Sequence, residues 1–406
     1  MPLGPAAGDD SKVSSQRKMV VSIVLAVLVI VVVVVACVYV VRHRNTAAAP
    51  SSAPSSSPTQ LPAAEAPVCG DGDALLAAMS TRDKLAQMLM VGVTGADDAR
   101  AVVAKEHVGG IMIGSWTDLT MLGDPLKEIA ASAGALPLAV STDEEGGRVS
   151  RLKSLIGVQE SARVLGRTVS PQEVHDIALT RGKAMKGLGI TVDFAPDADV
   201  SDQDDDTVIG DRSFSADPQK VTEYAGAYAR GLLDAGVTPV LKHFPGHGHA
   251  SGDSHEGGVV TPPLSDLMND DLVPYRELAQ VPGTAVMVGH MQVPGLTGTD
   301  PASLSPAAYS LLRTGGYGGL PFNGVVFTDD ISSMGAINQR YTVAQAALKA
   351  LQSGADIALW ITTDEVPGVL DALEAAVSDG QLDPKNVDAS VLRIAALKGK
   401  SPRCGG

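Results

Sequence analysis

The sequence contains few of the residue types on which several common protein classes depend. Its 406 residues include three cysteines and 3% aromatic residues, and 31 basic residues stand against 46 acidic ones, for a formal net charge of −15. Cys37, Cys69 and Cys404 are too few and too widely spaced for a disulfide-rich scaffold or a zinc motif. Because acidic residues dominate and aromatic rings are scarce, we predict no nucleic-acid partner.

A long uncharged segment near the N-terminus, residues 19–41, consists almost entirely of Val, Ile, Leu and Ala. As a helix it would extend about 34 Å, which is enough to cross the hydrocarbon core of a bilayer. We predict an uncleaved transmembrane anchor, preceded by a cytoplasmic n-region at residues 1–18. The alternative is a lipoprotein signal, because Val-Val-Ala-Cys at residues 34–37 resembles a lipobox, although the apolar run continues beyond Cys37.

The anchor is followed by a segment rich in Ala, Pro and Ser, residues 42–68. Such a composition cannot bury enough apolar surface to fold, so we predict a disordered linker. The linker leads to a globular body at residues 69–406. If that body is exported, Cys69 and Cys404 at its two ends could form a disulfide. Two free thiols are the alternative.

Short apolar runs in the body alternate with segments of helical periodicity. We predict strands at residues 87–93, 110–113, 137–141, 191–195, 238–241, 285–289, 324–327 and 357–361. Helical segments include residues 171–188, 218–235, 343–352 and 366–378. Alternation favours parallel pairing, and eight strands predict an α/β fold with a single (β/α)8 barrel of the TIM type. An open doubly wound sheet is the alternative, but no strand is followed by Gly-x-Gly-x-x-Gly.

Ionisable side chains follow five of the predicted strands, at the point where each strand ends. They are Asp143, Asp197, Asp199, Lys242, His243, His290, Asp329 and Asp330. The carboxyl ends of barrel strands form the catalytic face of this architecture. The pattern therefore predicts an enzyme.

The densest of these clusters begins with Lys-His-Phe-Pro-Gly-His-Gly at residues 242–248 and continues to His255. Its four histidines and Asp253 could be zinc ligands, but proline and glycine place them on a strand end and a loop rather than on one helix. The other interpretation is acid–base chemistry. A carboxylate at Asp253 can accept from one ring nitrogen of His255 and leave the other to donate a proton.

Two further motifs complete the chemistry. Asp329 and Asp330 follow each other at the end of a buried strand, and adjacent side chains of an extended chain point in opposite directions, so one of the two is a candidate nucleophile and the other would brace it. Residues 141–151, Ser-Thr-Asp-Glu-Glu-Gly-Gly-Arg-Val-Ser-Arg, place acidic and basic groups around a glycine pair that could bind a polyhydroxylated ligand. A carboxylate nucleophile with an imidazole acid predicts glycosyl transfer to water with retention of configuration.

These three motifs resemble those of the β-N-acetylglucosaminidases among the family 3 glycoside hydrolases, over about residues 75–400. The resemblance implies exo-hydrolysis of terminal N-acetyl-β-D-glucosamine from peptidoglycan-derived muropeptides, without a cofactor or a metal ion. It implies that Asp329 is the nucleophile and that His255 is the general acid/base with Asp253 as its dyad partner. The implied substrate-binding residues are Asp143, Arg151, Arg212, Lys242 and His243.

The chain departs from the family pattern at His249-Ala250, where Asp-Thr is usual, at Thr328 instead of Ser, and at Glu144 instead of Gln. A phosphorylase or a β-glucosidase of the same family, or a non-catalytic cell-wall-binding protein, are the alternatives. We expect a monomer held at the cell membrane through residues 19–41, with its catalytic domain facing the cell wall.

Overall fold

Eight parallel strands close into a barrel in the computed structural model, which describes residues 72–399. In chain order the strands are β1 (Leu89–Val93), β2 (Gly110–Ile113), β3 (Ala139–Thr142), β4 (Glu144–Gly146), β5 (Val149–Ser150), β6 (Val192–Asp193), β7 (Thr238–Phe244), β8 (Val259–Val260), β9 (Ala285–Val288), β10 (Met291–Gln292), β11 (Val326–Asp330) and β12 (Ile357–Trp360). The barrel order is β1-β12-β11-β9-β7-β6-β3-β2, while β4–β5 and β8–β10 form two small separate sheets. The predicted barrel is confirmed, and the open sheet is excluded.

Helices surround the barrel. In chain order they are α1 (Gly72–Ala77), α2 (Thr81–Gln87), α3 (Ala96–Glu106), α4 (Asp124–Ala131), α5 (Lys153–Ile156), α6 (Ala162–Thr168), α7 (Pro171–Leu188), α8 (Pro218–Asp234), α9 (Leu264–Leu267), α10 (Tyr275–Leu278), α11 (Pro306–Thr314), α12 (Gly335–Asn338), α13 (Val343–Ser353), α14 (Val366–Ser378) and α15 (Pro384–Leu397). Short 3-10 helices lie at Leu119–Met121, Gly210–Arg212 and Ala302–Leu304.

Helix α7 shows how the sequence determines these boundaries. Ser170 and Glu173 form a capping box at its start, and Pro171 occupies the first turn, where no backbone donor is lost. Gly189 ends the helix in the left-handed conformation, with φ at 98°. The predicted bounds of this helix, residues 171–188, match the observed ones.

Most residues of the barrel strands are buried because helices cover their outer side and packed side chains fill the interior. All five residues of β1 are buried, and so are all four residues of β2, β9 and β12. Inside, the rings of Phe194 and Phe327 pack edge to face with their centroids 5.6 Å apart. This filled interior leaves the mouth of the barrel as the place for a site.

A hairpin of β4 and β5 follows β3 at that mouth. Its turn contains Gly146 and Gly147, whose φ angles of 94° and 54° are unfavourable for other residues. A Cβ on Gly147 would also lie 2.7 Å from the Cβ of Ser161. The glycine pair thus allows the chain to reverse direction, so that the acidic residues of β4 lie beside β5 and the basic residues that flank it.

Within residues 72–399 no helix combines the length and the hydrophobicity that crossing a bilayer requires. The predicted anchor at residues 19–41, the linker at residues 42–68 and all three cysteines lie outside the described residues.

Candidate active site

The carboxyl ends of the barrel strands surround a cavity of about 310 Å³. Its lining includes seven of the eight predicted site residues: Asp143, Arg151, Arg212, Lys242, His243, His255 and Asp329. The eighth, Asp253, bonds to His255. Residues that follow different strands, separated by up to 186 positions from Asp143 to Asp329, are thus brought together in one cavity.

Lys242 lies at the floor of the cavity, on β7. Its Nζ is 2.6 Å from Oδ1 of Asp143 and 2.6 Å from Oε1 of Glu145, and only 3% of the side chain is exposed. Burial opposes the ammonium charge, but the two carboxylates raise the pKa of Lys242 above its usual value. The group is therefore a fixed cation that can donate to a substrate hydroxyl.

Glu145 joins this lysine to Arg212. The guanidinium donates from Nε and Nη2 to the two oxygens of Glu145, at 2.9 and 2.8 Å. Burial would raise the pKa of Glu145, but Arg212 and Lys242 lower it below its usual value. A bidentate pair of this kind fixes both planar groups, so Arg212 is held rigidly at the wall of the cavity.

Glu145 was not among the predicted site residues, although it stands two positions after Asp143. In extended chain, alternate side chains point to the same side, so Asp143 and Glu145 face the cavity together. Glu144 between them points away and pairs with Arg181, and it accepts from the backbone N–H of Leu152 at 2.7 Å. This alternation is the signal that could have identified Glu145.

Arg151, the residue directly after β5, approaches the same floor. Its Nη2 lies 4.0 Å from Oδ2 of Asp143. Its Nε is buried and has no hydrogen-bond partner among residues 72–399. A buried guanidinium donor without a protein acceptor is available to a ligand oxygen.

His243 is held from behind by Asp199, one of the predicted strand-end carboxylates. The Nδ1–Oδ2 distance is 2.7 Å, and Oδ1 of Asp199 also accepts from the backbone N–H of His247 at 2.7 Å. Burial lowers the pKa of His243 to about 4, although the carboxylate of Asp197 opposes that shift. The imidazole is therefore neutral near pH 7, with Nδ1–H donating to Asp199 and Nε2 left as an acceptor.

Asp329 lies on β11 and reaches the cavity between these groups. Its Oδ1 accepts the backbone N–H of Asp330 at 2.9 Å. Burial alone would raise the pKa of Asp329, but the rings of His290 and His243, this hydrogen bond and Lys242 lower it to about 2. The carboxylate is ionised across the physiological range, as a nucleophile requires.

Asp330 and His290, also predicted at strand ends, support the turn after β11. Oδ1 of Asp330 accepts from the backbone N–H and hydroxyl of Ser332, at 2.8 and 2.7 Å. Its backbone oxygen lies 2.8 Å from Nε2 of His290, whose Nδ1 is 2.6 Å from the hydroxyl of Ser303. These two residues therefore brace the strand end that carries Asp329.

The loop after β7 carries His255, whose side chain is 61% exposed at the mouth of the cavity. Its Nδ1 lies 2.7 Å from Oδ1 of Asp253, and its backbone N–H donates to the same oxygen at 2.9 Å. Burial opposes ionisation of Asp253, but these two bonds lower its pKa. The pairing uses Nδ1, and Nε2 of His255 has no hydrogen-bond partner among residues 72–399.

The four histidines of this region do not share one centre. His243 bonds to Asp199, His247 lies 3.3 Å from the hydroxyl of Ser254, His249 bonds to Asp271 and His255 to Asp253. Two sets of side chains in residues 72–399 could hold a metal ion, each with a single histidine: Asp197, Asp199 and His243; and His249, Asp270 and Asp271. The four histidines therefore do not converge on one point, as a zinc site shared between them would require.

Comparison with known proteins identifies the family of the chain. Residues 80–397 match the model of the glycosyl hydrolase family 3 N-terminal domain. The β-hexosaminidase LpqI of Mycobacterium tuberculosis is 59% identical over 371 residues, which cover 91% of this chain and 96% of that protein. A solved structure of the same LpqI aligns with a TM-score of 0.81 and 62% identity, over 83% of this chain and 99% of that one.

A glycosyl hydrolase of family 3 from Mycobacterium smegmatis aligns with a TM-score of 0.78 and 72% identity. The match covers 79% of this chain and 98% of that structure. The family model matches most of the chain, and the identity to LpqI extends over 91% of it. A shared barrel fold alone would not give sequence identity of this extent. The chain therefore belongs to glycosyl hydrolase family 3 and is a glycoside hydrolase related to the β-hexosaminidases.

Proposed function

We propose that the chain is a retaining exo-β-N-acetylglucosaminidase that removes terminal N-acetyl-β-D-glucosamine from peptidoglycan-derived muropeptides. The observation that carries the proposal is the presence of an ionised carboxylate, Asp329, and a carboxylate-paired imidazole, His255, on one cavity. Family membership and the resemblance to β-hexosaminidases support the same reaction class.

In the first half-reaction, an oxygen of Asp329 attacks the anomeric carbon of the sugar. The bond between that carbon and the glycosidic oxygen breaks, and protonated His255 gives its Nε2 proton to the departing oxygen. The products are the free aglycone alcohol, a neutral imidazole and a glycosyl ester on Asp329. Asp253 stabilises the imidazolium that exists before the transfer and keeps Nε2 directed at the oxygen.

In the second half-reaction, a water molecule occupies the position that the aglycone has left. Neutral His255 takes a proton from this water as the oxygen bonds to the anomeric carbon, and the ester bond to Asp329 breaks. The sugar leaves with its original configuration, while the carboxylate of Asp329 and the imidazolium of His255 are regenerated. Two inversions at one carbon account for the net retention.

The ion pairs of the floor support the proposed exo action. Lys242 and Arg212 are fixed by Glu145, and Arg151 has an unpartnered donor beside Asp143. Together they can bind the hydroxyl and amide oxygens of one sugar. Because these side chains close the inner end of the cavity, a chain of sugars can enter only by its terminal residue.

We propose further that residues 19–41 anchor the protein in the membrane and that the catalytic domain faces the cell wall. The uncharged run of Val, Ile, Leu and Ala in the sequence supports this proposal. The intact mass of the membrane-extracted protein tests it, because an uncleaved anchor, a lipidated Cys37 and a Cys69–Cys404 disulfide give different masses. A mass equal to that of a chain cleaved without lipid would contradict membrane attachment by either route.

Hydrolysis of a chromogenic N-acetyl-β-glucosaminide by the purified full-length chain in detergent tests the enzymatic proposal. We expect turnover by the wild type and none by D329N, with β-N-acetylglucosamine as the first product seen by NMR. A folded wild-type protein without turnover, or a first product of the α configuration, would contradict the proposal. Comparison with the matching β-glucoside tests the β-glucosidase alternative.

A phosphorylase is the second candidate, because the proposed acid/base is an imidazole rather than a carboxylate. A carboxylate would repel an attacking phosphate dianion, whereas neutral His255 would not. A rate that rises with added phosphate, with sugar 1-phosphate as product, would favour the phosphorylase. A rate that is independent of phosphate would favour the hydrolase.

A further inference from the structure

A second cavity, of about 390 Å³, adjoins the catalytic one. The two cavities share Trp116 and Ile361 in their linings, and the second extends over Thr362, Thr363 and Asp364. No residue of the proposed catalytic machinery lines this second cavity within the described part of the chain.

Trp116 lies at the boundary between the two cavities and is 41% exposed. It is the one aromatic residue among the large hydrophobic side chains that are exposed in residues 72–399, and Trp360, the other tryptophan of the chain, is fully buried. An indole left in water at the edge of a polar cavity exposes apolar area that a ligand can cover.

The turn after β2 holds this indole in place. The hydroxyl of Thr117 donates to the backbone oxygen of Val93 at 2.6 Å and accepts from the N–H of Gly114 at 3.0 Å. The six-membered ring lies against Gly114, where a Cβ would be only 2.4 Å from Cη2 of the indole. The ring is thus supported on one side by glycine backbone.

The mouth of the catalytic cavity is the side on which a leaving group must lie. Lys242 and Glu145 at the floor are almost fully buried. The exposed members of the lining include His255, the proposed acid, and Trp116. The acid must reach the glycosidic oxygen, which joins the bound sugar to the aglycone. A sugar in the floor therefore places its aglycone on the same side as Trp116.

The second cavity also has a definite charge. Asp98 accepts from the hydroxyls of Thr94 and Thr363, at 3.0 and 2.7 Å, and makes no ion pair within residues 72–399. Asp364 has no ion pair there either, and the lining contains no lysine or arginine. Two carboxylates without a neighbouring cation favour neutral or cationic groups and repel anions.

We infer that the second cavity is the aglycone site, in which a second sugar ring stacks on Trp116 and presents uncharged or cationic groups to Asp98 and Asp364. The C–H groups of a pyranose face would lie on the negative face of the indole, and its hydroxyl and amide groups would donate to the carboxylates. A muramic acid ring fits when its lactyl carboxyl is joined to peptide as an amide, and fits poorly as the free acid. This inference rests on the proposed glycosidase activity.

The test compares a ligand that fills only the catalytic cavity with a substrate that fills both. For the full-length chain in detergent, W116A should lower kcat/KM for N,N′-diacetylchitobiose by about tenfold or more. It should change the inhibition constant of free N-acetylglucosamine by less than about twofold. W116F should recover most of the lost kcat/KM, and L155A, which removes an exposed apolar side chain away from both cavities, should change neither value.

A second variant moves the indole without removing it. G114A introduces the Cβ that would overlap the ring, so we expect it to lower kcat/KM for the disaccharide as W116A does and to leave the inhibition constant unchanged. Equal effects of W116A on both measurements would assign Trp116 to the first sugar and overturn the inference. So would a disaccharide kcat/KM that W116A leaves unchanged.

The charge of the site is tested with N-acetylglucosaminyl-N-acetylmuramic acid, whose second ring carries a free carboxylate. The wild type should prefer diacetylchitobiose, and D364N should raise kcat/KM for the acid relative to the neutral disaccharide by about threefold or more. If D364N left the ratio of the two kcat/KM values unchanged, the inference that Asp364 repels an anionic aglycone would be overturned. Wild-type protein that turns over no N-acetylglucosaminide would instead overturn the proposed function, and the aglycone site with it.

Discussion

The side chains of His255 and Asp253 form a hydrogen bond of 2.7 Å between Nδ1 and Oδ1. Asp253 is also bonded to the backbone N–H of His255 at 2.9 Å, so one carboxylate oxygen fixes both the ring and its main chain. The pair is thus a local unit that can move with its loop while keeping its internal geometry.

From this pairing we predict that His255→Ala discriminates between leaving groups. General acid catalysis contributes about 10²- to 10⁴-fold to a rate, and only a poor leaving group needs the whole of it. We expect a loss of about 10³-fold for a disaccharide and about tenfold for a 2,4-dinitrophenyl glycoside. Asp253→Asn should also slow the disaccharide more than the dinitrophenyl glycoside, with smaller losses for both. Equal losses for the two substrates in His255→Ala would contradict an acid role for His255.

Asp329→Asn should reduce turnover of both substrates equally, by about 10⁴-fold or more, because every substrate needs the nucleophile. Intact-mass measurement after rapid quenching of wild type with a fluorinated N-acetylglucosaminyl substrate should show a glycosylated protein, with the label on the peptide that contains residue 329. D329N should remain unlabelled. Labelling of D329N, or of another peptide in the wild type, would contradict the assignment.

Substitutions of two neighbouring glutamates should distinguish an effect on substrate binding from an effect on stability. Glu145→Gln leaves Lys242 and Arg212 without their shared carboxylate, so it should raise KM and lower the free energy of unfolding by about 3 kcal/mol. Glu144→Gln breaks the buried pair with Arg181 and should lower the free energy of unfolding by a similar amount while KM stays unchanged. Thermal unfolding and KM for the chromogenic substrate check both, and an increase in KM for E144Q would contradict the division.

The pH dependence of stability should report on His249. Its hydrogen bond to Asp271, opposed in part by burial and aided by Asp270 and Asp202, raises the pKa of His249 from 6.5 to about 9. A raised pKa stabilises the fold fully below the unfolded value of 6.5, and this contribution is lost as pH rises towards 9. We expect the Tm of the wild type to fall between pH 6.5 and 9 more than that of H249N.

Because the His249 side chain is partly exposed to solvent, at 23%, the difference should be small and should shrink in high salt. Parallel Tm curves for the wild type and H249N over this range would contradict the assignment.

The sequence was sufficient for the barrel because apolar runs and helical periodicity are local signals. Each of the eight predicted strands overlaps an observed one, and β2 has the predicted bounds of residues 110–113. Residues such as Lys242 and Asp329 could be placed at one end of the barrel, since parallel strands share a direction. The contacts within the cavity could not be predicted, because Glu145 meets Arg212 across 67 positions and no local pattern specifies that meeting.

Trp116 illustrates the same limit. Nothing in the local sequence distinguishes it from a core tryptophan, and its exposure depends on how the turn after β2 bonds to Val93. In the sequence, the small number of aromatic residues argues only against stacking on nucleic-acid bases. The fold adds that one of the two tryptophans lies exposed at the edge of the catalytic cavity.

The loop with His255 is also joined to the segment that follows Asp329. The backbone N–H groups of Gly335 and Ala336 donate to the oxygens of His255 and Ser254, at 2.9 and 3.1 Å. Any movement of the loop backbone away from this segment must break these two hydrogen bonds and expose both amide protons to solvent. The rate of deuterium uptake at residues 335 and 336 therefore reports how often the loop that carries His255 opens, and it can be measured without any substrate present.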